Sequence, residues 1–414
     1  AATYRTDDIR DRARVEVARV NGRLQAAPWL RDRIVITERG GIIEFGDPDL
    51  FFLNDGTGKF SPVSWTDGRF LDAEGQRLSA APRDWGLAAA FRDVNGDGAP
   101  DLYVCNDYWT PDRFWLNDGS GRFRACSDLA LRHTSENSMG VDFADVDRDG
   151  EVDLFVTDML ARTLAGRKRR ATAESRMAPG PGEAEDRPQY MRNTLFRNRG
   201  DGTFAEIASL AGVAASEWSW QPNFIDVDLD GFADLLIPAG HTRDVQDLDA
   251  TARIQALQHA WPRGMSSNVM QALFTRELKE HAKFYPSLEL PIVAFRNLGD
   301  WTFEDMTDRW GTDALAVNQG MAFGDLDGDG DLDFVVNRLN QPAAVYRNES
   351  AAPRIMVRVE DFPPNTQGIG ARVTLSGPGG RAQTHEVVSG GKYLSSSDTA
   401  LVFATGGGAE GLRL

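Results

Sequence analysis

An acidic segment that occurs four times in register constrains the fold of this chain more than any other sequence feature. Each copy starts at a phenylalanine, continues as Asp-x-Asp/Asn-x-Asp-Gly-x-x-Asp and ends in a short apolar run, such as residues 154–156. Short apolar runs bounded by Gly and Asp are typical of buried strands. The copies lie at residues 91–101, 143–153, 224–234 and 323–333.

A second element alternates with the acidic segment: an Asn followed by a Gly-containing turn and a Phe. It occurs at residues 53–60, 116–123, 197–204 and 296–303, with a truncated copy at 346–348. Asn and Gly tolerate positive φ, so we predict that both supply such positions in hairpin turns. One unit then contains four strands. The repeat predicts an all-β protein, a β-propeller of four-stranded blades with at least five recognisable units and up to seven.

Two insertions and two flanking regions complete the predicted organisation. Residues 161–192 include a Pro/Gly-rich stretch at 177–182 and are predicted to be a mobile loop. Their basic run, 167–170, is interpreted as a solvated loop, with attraction of an acidic partner or a protease as the alternative. Residues 243–285 lack turn residues and predict helices. We expect an N-terminal helix (6–24, capped by Thr6 or Asp7) and lead-in strands in 1–46, a propeller in 47–350 whose first unit lacks an acidic loop, and a small β module in 351–414.

The spacing of the acidic loops predicts a site for a hard cation. Ca²⁺ takes six to eight oxygen ligands in flexible geometry, whereas Mg²⁺ prefers to keep its water, so calcium is favoured and about four ions are expected. Loop positions 1, 3, 5 and 9 would supply side chains, position 7 a backbone carbonyl, and the Gly at position 6 a sharp bend. The predicted ligands are Asp93, Asn95, Asp97, Ala99 and Asp101; Asp145, Asp147, Asp149, Glu151 and Asp153; Asp226, Asp228, Asp230, Phe232 and Asp234; and Asp325, Asp327, Asp329, Asp331 and Asp333.

Four solvated acidic turns are the alternative interpretation, and a single loop would not decide between the two. Four copies in register, each between a Phe and a buried strand, favour metal binding. The loops differ from an EF-hand because their flanks are strands and the ninth-position Asp replaces a distal Glu. Carboxylates packed into one turn repel each other without a cation, so we expect the ions to be structural.

Charge and cysteine content exclude several classes of function. The chain has 62 acidic and 45 basic residues and a net charge of −17, which argues against nucleic acid and anionic lipid as partners. Within the sequence, apolar stretches fall short of the ~18 residues of a membrane span. The first residues, Ala1 and Ala2, are typical of a processed or partial chain. Cys105 and Cys126 form one disulfide or remain two free thiols.

The acidic and hairpin motifs closely resemble the FG-GAP/VCBS repeats of integrin-α-like propellers, and most closely the bacterial relatives of cartilage acidic protein. Residues 138–145, 188–193, 218–220, 243–249 and 340–343 resemble that subfamily, and the similarity covers about residues 47–348. Residues 368–373, 391–396 and 401–403 resemble the ASPIC/UnbV domain. The usual Phe-Gly-Leu-Gly stands as Phe-Ala-Thr-Gly at 403–406, and the chain stops where the module should continue, so we expect an incomplete module.

The resemblance implies a calcium-bearing propeller, often exported. We therefore expect a non-catalytic module outside the cytoplasm (periplasmic, cell-surface or secreted) that binds a protein or glycan and is able to form oligomers. The alternative is an enzyme or accessory protein of an enediyne-type biosynthetic pathway, with the propeller channel as its pocket. Sequence motifs for hydrolases, phosphate loops or dinucleotide binding do not occur. His241, Asp107 and Asp158 are candidates for a site, although surface or packing roles are favoured for them.

Overall fold

The structure is a computed structural model that describes the chain except residues 1, 4–10, 22, 32, 37–41, 109, 171–186, 258–263, 378–381, 408 and 409. Strands dominate the described residues. Among these described residues, no helix is both long and apolar enough to cross a bilayer.

The described N-terminal residues form strands, so the helix predicted over residues 6–24 is wrong there. Val15, Val17 and Val20 are β-branched and favour extended backbone over helix. Thr6 and Asp7, the predicted caps, lie outside the described residues. Two antiparallel pairs result: β1 (Val17–Val20) with β2 (Arg23–Ala26), and β3 (Ile34–Ile36) with β4 (Ile42–Glu44).

The unit predicted without an acidic loop is a two-stranded hairpin rather than a blade. Its strands are β5 (Phe51–Asn54) and β6 (Phe60–Val63), paired antiparallel. Phe51 packs edge-on against Phe70 and Phe123 of the first blade, with ring centroids 5.2 and 5.5 Å apart.

The first blade contains the first acidic loop between its first two long strands. Its sheet order is β7-β11-β10-β9-β8, with β7 parallel to β11 and the other pairs antiparallel. The strands are β7 (Phe70–Leu71), β8 (Gly86–Arg92), β9 (Asp101–Asn106), β10 (Arg113–Asn117) and β11 (Phe123–Ala125).

The second blade has the sheet order β13-β14-β16-β17, and a short parallel pair, β12 with β15, lies beside it. The basic run at 167–170 is not a solvated loop: it continues a helix capped by Thr163, and Arg170 is buried in ion pairs with Glu217 and Asp244. Residues 177–182 lie outside the described residues. The elements are β12 (Thr134–Ser135), β13 (Gly140–Ala144), β14 (Asp153–Thr157), α1 (Leu164–Arg169), β15 (Gln189–Tyr190), β16 (Thr194–Asn198), β17 (Phe204–Glu206) and α2 (Ala208–Ala211).

The third blade, with sheet order β18-β19-β22-β23, carries the helices predicted for residues 243–285. That prediction is confirmed by α3 and α4, which lie between the strands of the small pair β20-β21. The elements are β18 (Asn223–Ile225), β19 (Asp234–Ile237), β20 (Gly240–His241), α3 (Leu248–Leu257), α4 (Ser267–His281), β21 (Leu288–Glu289), β22 (Val293–Asn297) and β23 (Phe303–Asp305).

The fourth blade has three strands, and a small β module follows it. In the module, β27 pairs with β30 and β28 pairs with β29, around a core that includes Leu375, Val387 and Phe403. The elements are β24 (Asn318–Gly324), β25 (Asp333–Arg338), β26 (Ala344–Tyr346), β27 (Arg354–Val357), β28 (Arg372–Leu375), β29 (Gln383–Glu386) and β30 (Leu401–Ala404).

The four blades form a propeller-like ring, which confirms the predicted all-β propeller. The described residues contain four blades and the hairpin β5-β6 rather than five to seven four-stranded blades, and the first blade has five strands and the fourth has three. First strands of neighbouring blades contact each other, β8 with β13 and β13 with β18. Apolar cores fill the spaces between blades: Tyr103 and Phe143 contribute to the first, Phe155 and Phe295 to the second, and Met321 to the third. Because every acidic loop joins the first strand of a blade to the second, all four loops lie at the same end of the blades.

Candidate metal centres on the acidic loops

The four acidic loops share one backbone path. The Gly at position 6 has φ between 86° and 96° in every loop, which confirms its predicted role in the bend. The Asp at position 1 accepts backbone N–H groups of positions 5 and 6 with its two oxygens, at 2.8 to 3.2 Å. The loops are thus held open around their first carboxylate by their own amides.

Loop folding brings three carboxylates together in the second, third and fourth loops. In each group, one oxygen from every member lies within 4.8 Å of the others. The first loop has Asn95 at position 3 and forms no such three-carboxylate group within the described residues. The groups are Asp145, Asp147 and Asp153; Asp226, Asp228 and Asp230; and Asp325, Asp327 and Asp333.

The Asp at position 9 of each loop also accepts hydrogen bonds that join its loop to the hairpin, a role that the sequence did not indicate. Asp234 is buried, and its two oxygens accept the backbone N–H groups of Val227, 2.9 Å away in its loop, and Asn297, 2.8 Å away in the hairpin. The same pair of bonds recurs in the other three blades. It is made by Asp101, Asp153 and Asp333.

Burial and mutual repulsion make the loops electrostatically unfavourable for bare carboxylates. Burial, together with the charges of neighbouring Asp residues, raises the pKa of Asp153 and of Asp234 to about 8. Burial likewise raises the pKa of Asp226 to about 7 and of Asp145 to about 6. A proton or a cation close to these oxygens would relieve the repulsion.

The donor set fits a calcium ion. Each loop presents carboxylate and backbone carbonyl oxygens, and the first adds the amide oxygen of Asn95; these are the ligands that Ca²⁺ takes in proteins. Asp331, at position 7 of the fourth loop, is fully buried, and neither of its side-chain oxygens accepts a hydrogen bond from the described residues. The Arg354 guanidinium lies 3.3 Å from it. A buried carboxylate without a hydrogen-bond donor is costly unless a cation neutralises it.

Three arginines that the sequence interpretation passed over lie against position 3 of the loops. Each precedes the Asn of a hairpin in the same blade. Nitrogen–oxygen distances are 3.8 Å for Arg197 to Asp147, 2.5 Å for Arg296 to Asp228 and 2.6 Å for Arg347 to Asp327. The signal was present in the sequence, since the first hairpin has Leu116 where the others have Arg.

The hairpin Asn does not take positive φ, contrary to the prediction; glycines such as Gly119, Gly200 and Gly299 do. The Asn side chain instead donates across blades. Asn297 Nδ2 donates to the carbonyl of Val146, in the preceding acidic loop, at 2.9 Å. The equivalent bonds run from Asn198 to Val94 and from Asn348 to Val227.

The C-terminal module contacts the acidic loops. Arg372 Nη1 lies 3.8 Å from Asp93, Arg354 Nη2 lies 3.0 Å from Asp329, and Arg148 Nε donates to the carbonyl of Ala382 at 3.3 Å. A cavity of about 200 Å³ remains between module and blades, lined by charged side chains of both signs.

A segment of the module, residues 390–398, lies where the first strands of the four blades converge. Lys392 Nζ contacts Asp142 at 3.3 Å and Asn223 at 2.9 Å, and Tyr393 stacks on Trp220 with centroids 4.6 Å apart. A Cβ on Gly320 would lie 3.0 Å from the Leu394 carbonyl, so the segment packs closely against the backbone of the fourth blade. The propeller channel therefore holds part of the chain itself, which gives no support to the alternative of a channel pocket.

Residues proposed as alternative site candidates have packing roles. His241 Nδ1 donates to the Arg243 carbonyl at 2.7 Å, and the imidazole ring stacks on Trp218. Asp158 is fully buried and accepts the Ser135 hydroxyl at 2.5 Å and the Asn137 amide at 3.1 Å. Cys105 and Cys126 are free buried thiols, not a disulfide, and burial raises the pKa of Cys126 to about 11.

Comparison with protein families agrees with this geometry. A model of the FG-GAP-like repeat matches residues 46–104, 93–156, 186–237 and 289–336, together just over half of the chain. The chain belongs to the FG-GAP repeat family. An ASPIC and UnbV model matches residues 362–413, within the C-terminal module. The FG-GAP propeller is the fold of an interaction module, and the four matches cover its acidic loops.

Similarity to solved structures is low. A lectin of Agrocybe aegerita, described for its recognition of non-reducing terminal N-acetylglucosamine, is 15% identical; the match covers 74% of this chain and 77% of the lectin, with a TM-score of 0.29. The Photorhabdus luminescens Tc holotoxin pore is 12% identical, with 85% of this chain and 16% of the toxin chain covered and a TM-score of 0.21. Among curated protein sequences, none matches significantly.

Proposed function

We propose that the four acidic loops bind Ca²⁺ and that the calcium-stabilised propeller acts outside the cytoplasm as a module that binds a protein or a glycan. The observation that carries the calcium proposal is the repeated convergence of three carboxylates within 4.8 Å at one end of the blades.

The ligands of each ion would come from one loop. Side chains at positions 1, 3, 5 and 9 and the carbonyl at position 7 are the proposed donors: Asp93, Asn95, Asp97, Ala99 and Asp101 in the first loop, and the corresponding residues in the other three. The ion would supply positive charge to crowded carboxylates, and ion binding would become folding energy. Such loops suit the millimolar calcium concentrations found outside cells.

A thermal unfolding experiment tests the calcium proposal. Protein stripped with EDTA is dialysed and compared without metal, with 2 mM CaCl₂ and with 2 mM MgCl₂, each concentration being on the order of extracellular calcium. We expect a higher melting temperature with calcium, because an ion that binds only the folded state adds about 2.7 kcal/mol at 100 times its Kd. Magnesium should have a smaller effect. An unchanged melting temperature after EDTA treatment rules structural calcium out.

Ion counting and partner binding separate the two parts of the proposal. Equilibrium dialysis should give about four ions per chain, and Asp226→Asn should remove about one of them. Interaction is then tested on immobilised glycans and extracellular-matrix proteins, with calcium or with EDTA. If the protein binds calcium but binds neither the glycans nor the matrix proteins, the calcium proposal holds and the proposed interaction function is wrong.

A further inference from the structure

Three of the four acidic loops carry a resident positive charge at the same place. In the second, third and fourth blades, the residue before the hairpin Asn is an Arg that pairs with the Asp at loop position 3. Arg296 makes the closest contacts, 2.5 Å to Asp228 and 2.9 Å to Asp230. These two carboxylates belong to the three-carboxylate group of the third loop.

The first blade lacks both members of this pair. Position 3 of its loop is Asn95, and the residue before its hairpin Asn is Leu116. In the first blade, two neutral residues, Asn95 and Leu116, therefore stand where the other blades have an Asp and an Arg. Counting positions 1, 3, 5 and 9, the first loop has three carboxylates, whereas the third has four carboxylates and one guanidinium, so both have the same formal charge.

A guanidinium and a divalent cation compete for the same negative charge. With its Arg paired, the loop is partly neutralised in the absence of metal, so its carboxylates repel each other less. When Ca²⁺ enters, the Arg becomes a like charge a few ångströms away and lowers the affinity. The exposure of these arginine side chains, 35% for Arg296 and 58% for Arg347, leaves them room to swing away.

We propose that Arg197, Arg296 and Arg347 are built-in counter-ions that hold the position-3 carboxylate when calcium is absent and weaken calcium binding by their loops. The inference rests on the proposed calcium function. It predicts opposite effects of arginine removal on the metal-free and the calcium-bound protein, which a residue with a purely structural role would not produce.

The test compares the parent protein with the variant Arg296→Leu, which places at this position the residue found in the hairpin of the first blade. In a calcium titration followed by calorimetry, one site of the variant should bind calcium about tenfold more tightly than the same site of the parent protein. The melting temperature in EDTA should fall, and the rise on adding calcium should become larger than in the parent. Lys283→Leu is the control: it removes one positive charge from an exposed pair with Glu280 in the helical insertion and should leave the calcium-induced rise unchanged.

The first loop provides the reciprocal experiment. Asn95→Asp alone gives that loop four carboxylates without an arginine in its hairpin, while Arg372 of the C-terminal module stays 3.8 Å from Asp93, and should tighten its calcium binding by about tenfold. Adding Leu116→Arg to this variant should return the affinity towards the parental value. If Arg296→Leu does not fold in EDTA, Arg296→Gln keeps hydrogen bonding without the charge and replaces it.

The outcomes distinguish failure of this inference from failure of the proposed function. Absence of calcium binding by the parent protein removes the calcium proposal and this inference together. Calcium binding by the parent, with equal or weaker binding by Arg296→Leu and Arg296→Gln, overturns the counter-ion role alone.

Discussion

Asp112 is a buried carboxylate outside the acidic loops, with only 1% of its surface exposed. Its Oδ2 accepts the Tyr103 hydroxyl at 2.7 Å and the Ser138 hydroxyl at 2.8 Å, and its Oδ1 accepts the Asn106 amide at 2.8 Å. Burial raises its pKa to about 7, and the negative charge of Asp158 contributes in the same direction. Folded protein therefore holds this proton at pH values where unfolded protein has released it.

Stability should consequently depend on pH through Asp112. A raised carboxyl pKa contributes stability that is complete below the unfolded value near 4 and is lost as pH rises through about 7. The loss is up to about 4 kcal/mol, at 1.36 kcal/mol per pKa unit. In urea unfolding at pH 5 and pH 8, Asp112→Asn should lose less stability on going to pH 8 than the parent.

A surface variant controls this pH experiment. Asp313 is exposed, so Asp313→Asn should follow the pH dependence of the parent. Parallel pH dependence of Asp112→Asn and the parent would contradict the buried-carboxylate account.

At the scale of elements, the hairpin Asn of the second, third and fourth blades is bonded to the acidic loop of the preceding blade. Asn297 Nδ2 donates to Val146 of the preceding loop at 2.9 Å and to Ala233 of its own loop at 3.1 Å. Asn117, in the first blade, donates to Pro100 of its own loop, and the hairpin β5-β6 before it has no acidic loop. The loops are thus mechanical links between blades.

Asn297→Ala should therefore destabilise the protein more than Asn117→Ala. Both variants lose the bond that the Asn Oδ1 accepts from the hairpin Gly. Asn297→Ala also loses two bonds donated by Nδ2, one of them between blades, and Asn117→Ala loses one, so the loss at Asn297 should be larger by about 1 kcal/mol. Urea unfolding of both variants, in EDTA to keep metal out of the comparison, measures the difference. Equal losses at the two positions would mean that the inter-blade bond adds nothing.

The elements also show which local predictions hold. The hairpins form where Gly-containing turns predicted them, because positive φ at Gly119 or Gly200 is a local requirement. The cross-blade use of Asn was not predictable, since Asn297 and Val146 are 151 residues apart. The prediction of an N-terminal helix was wrong because Thr6 or Asp7 suggests a helix cap, whereas the valines of β1 favour a strand.

At the scale of the whole molecule, the C-terminal module is part of the propeller rather than an appendage. Lys392, 10% exposed, contacts the second and third blades, and the Ser397 hydroxyl accepts the Phe323 amide of the fourth blade at 3.2 Å. Gly391 lies against Ala90 of the first blade. One short segment therefore touches all four blades.

Loosening this segment should weaken the whole ring. Tyr393→Ala removes the stacking on Trp220 and should lower the free energy of unfolding by about 2 kcal/mol. Hydrogen exchange should become faster at β13 and β18 as well as in residues 390–398. Phe362→Ala, at an 86% exposed position of the same module, is the control and should change neither quantity. Faster hydrogen exchange confined to the C-terminal module would contradict the inference that residues 390–398 stabilise the whole ring of blades.

The sequence by itself determined the blade unit, the acidic loops and their Gly bends, because each depends on interactions within about ten residues that the repeat displays four times. It also indicated the oxygen-rich chemistry of the loops. Only the tertiary structure decided which arginine faces which carboxylate, that the hairpin Asn bridges blades and that residues 390–398 occupy the axis. Those contacts join residues up to 301 positions apart, as for Ala90 and Gly391, so they depend on how blades and module pack and leave no local pattern in the chain.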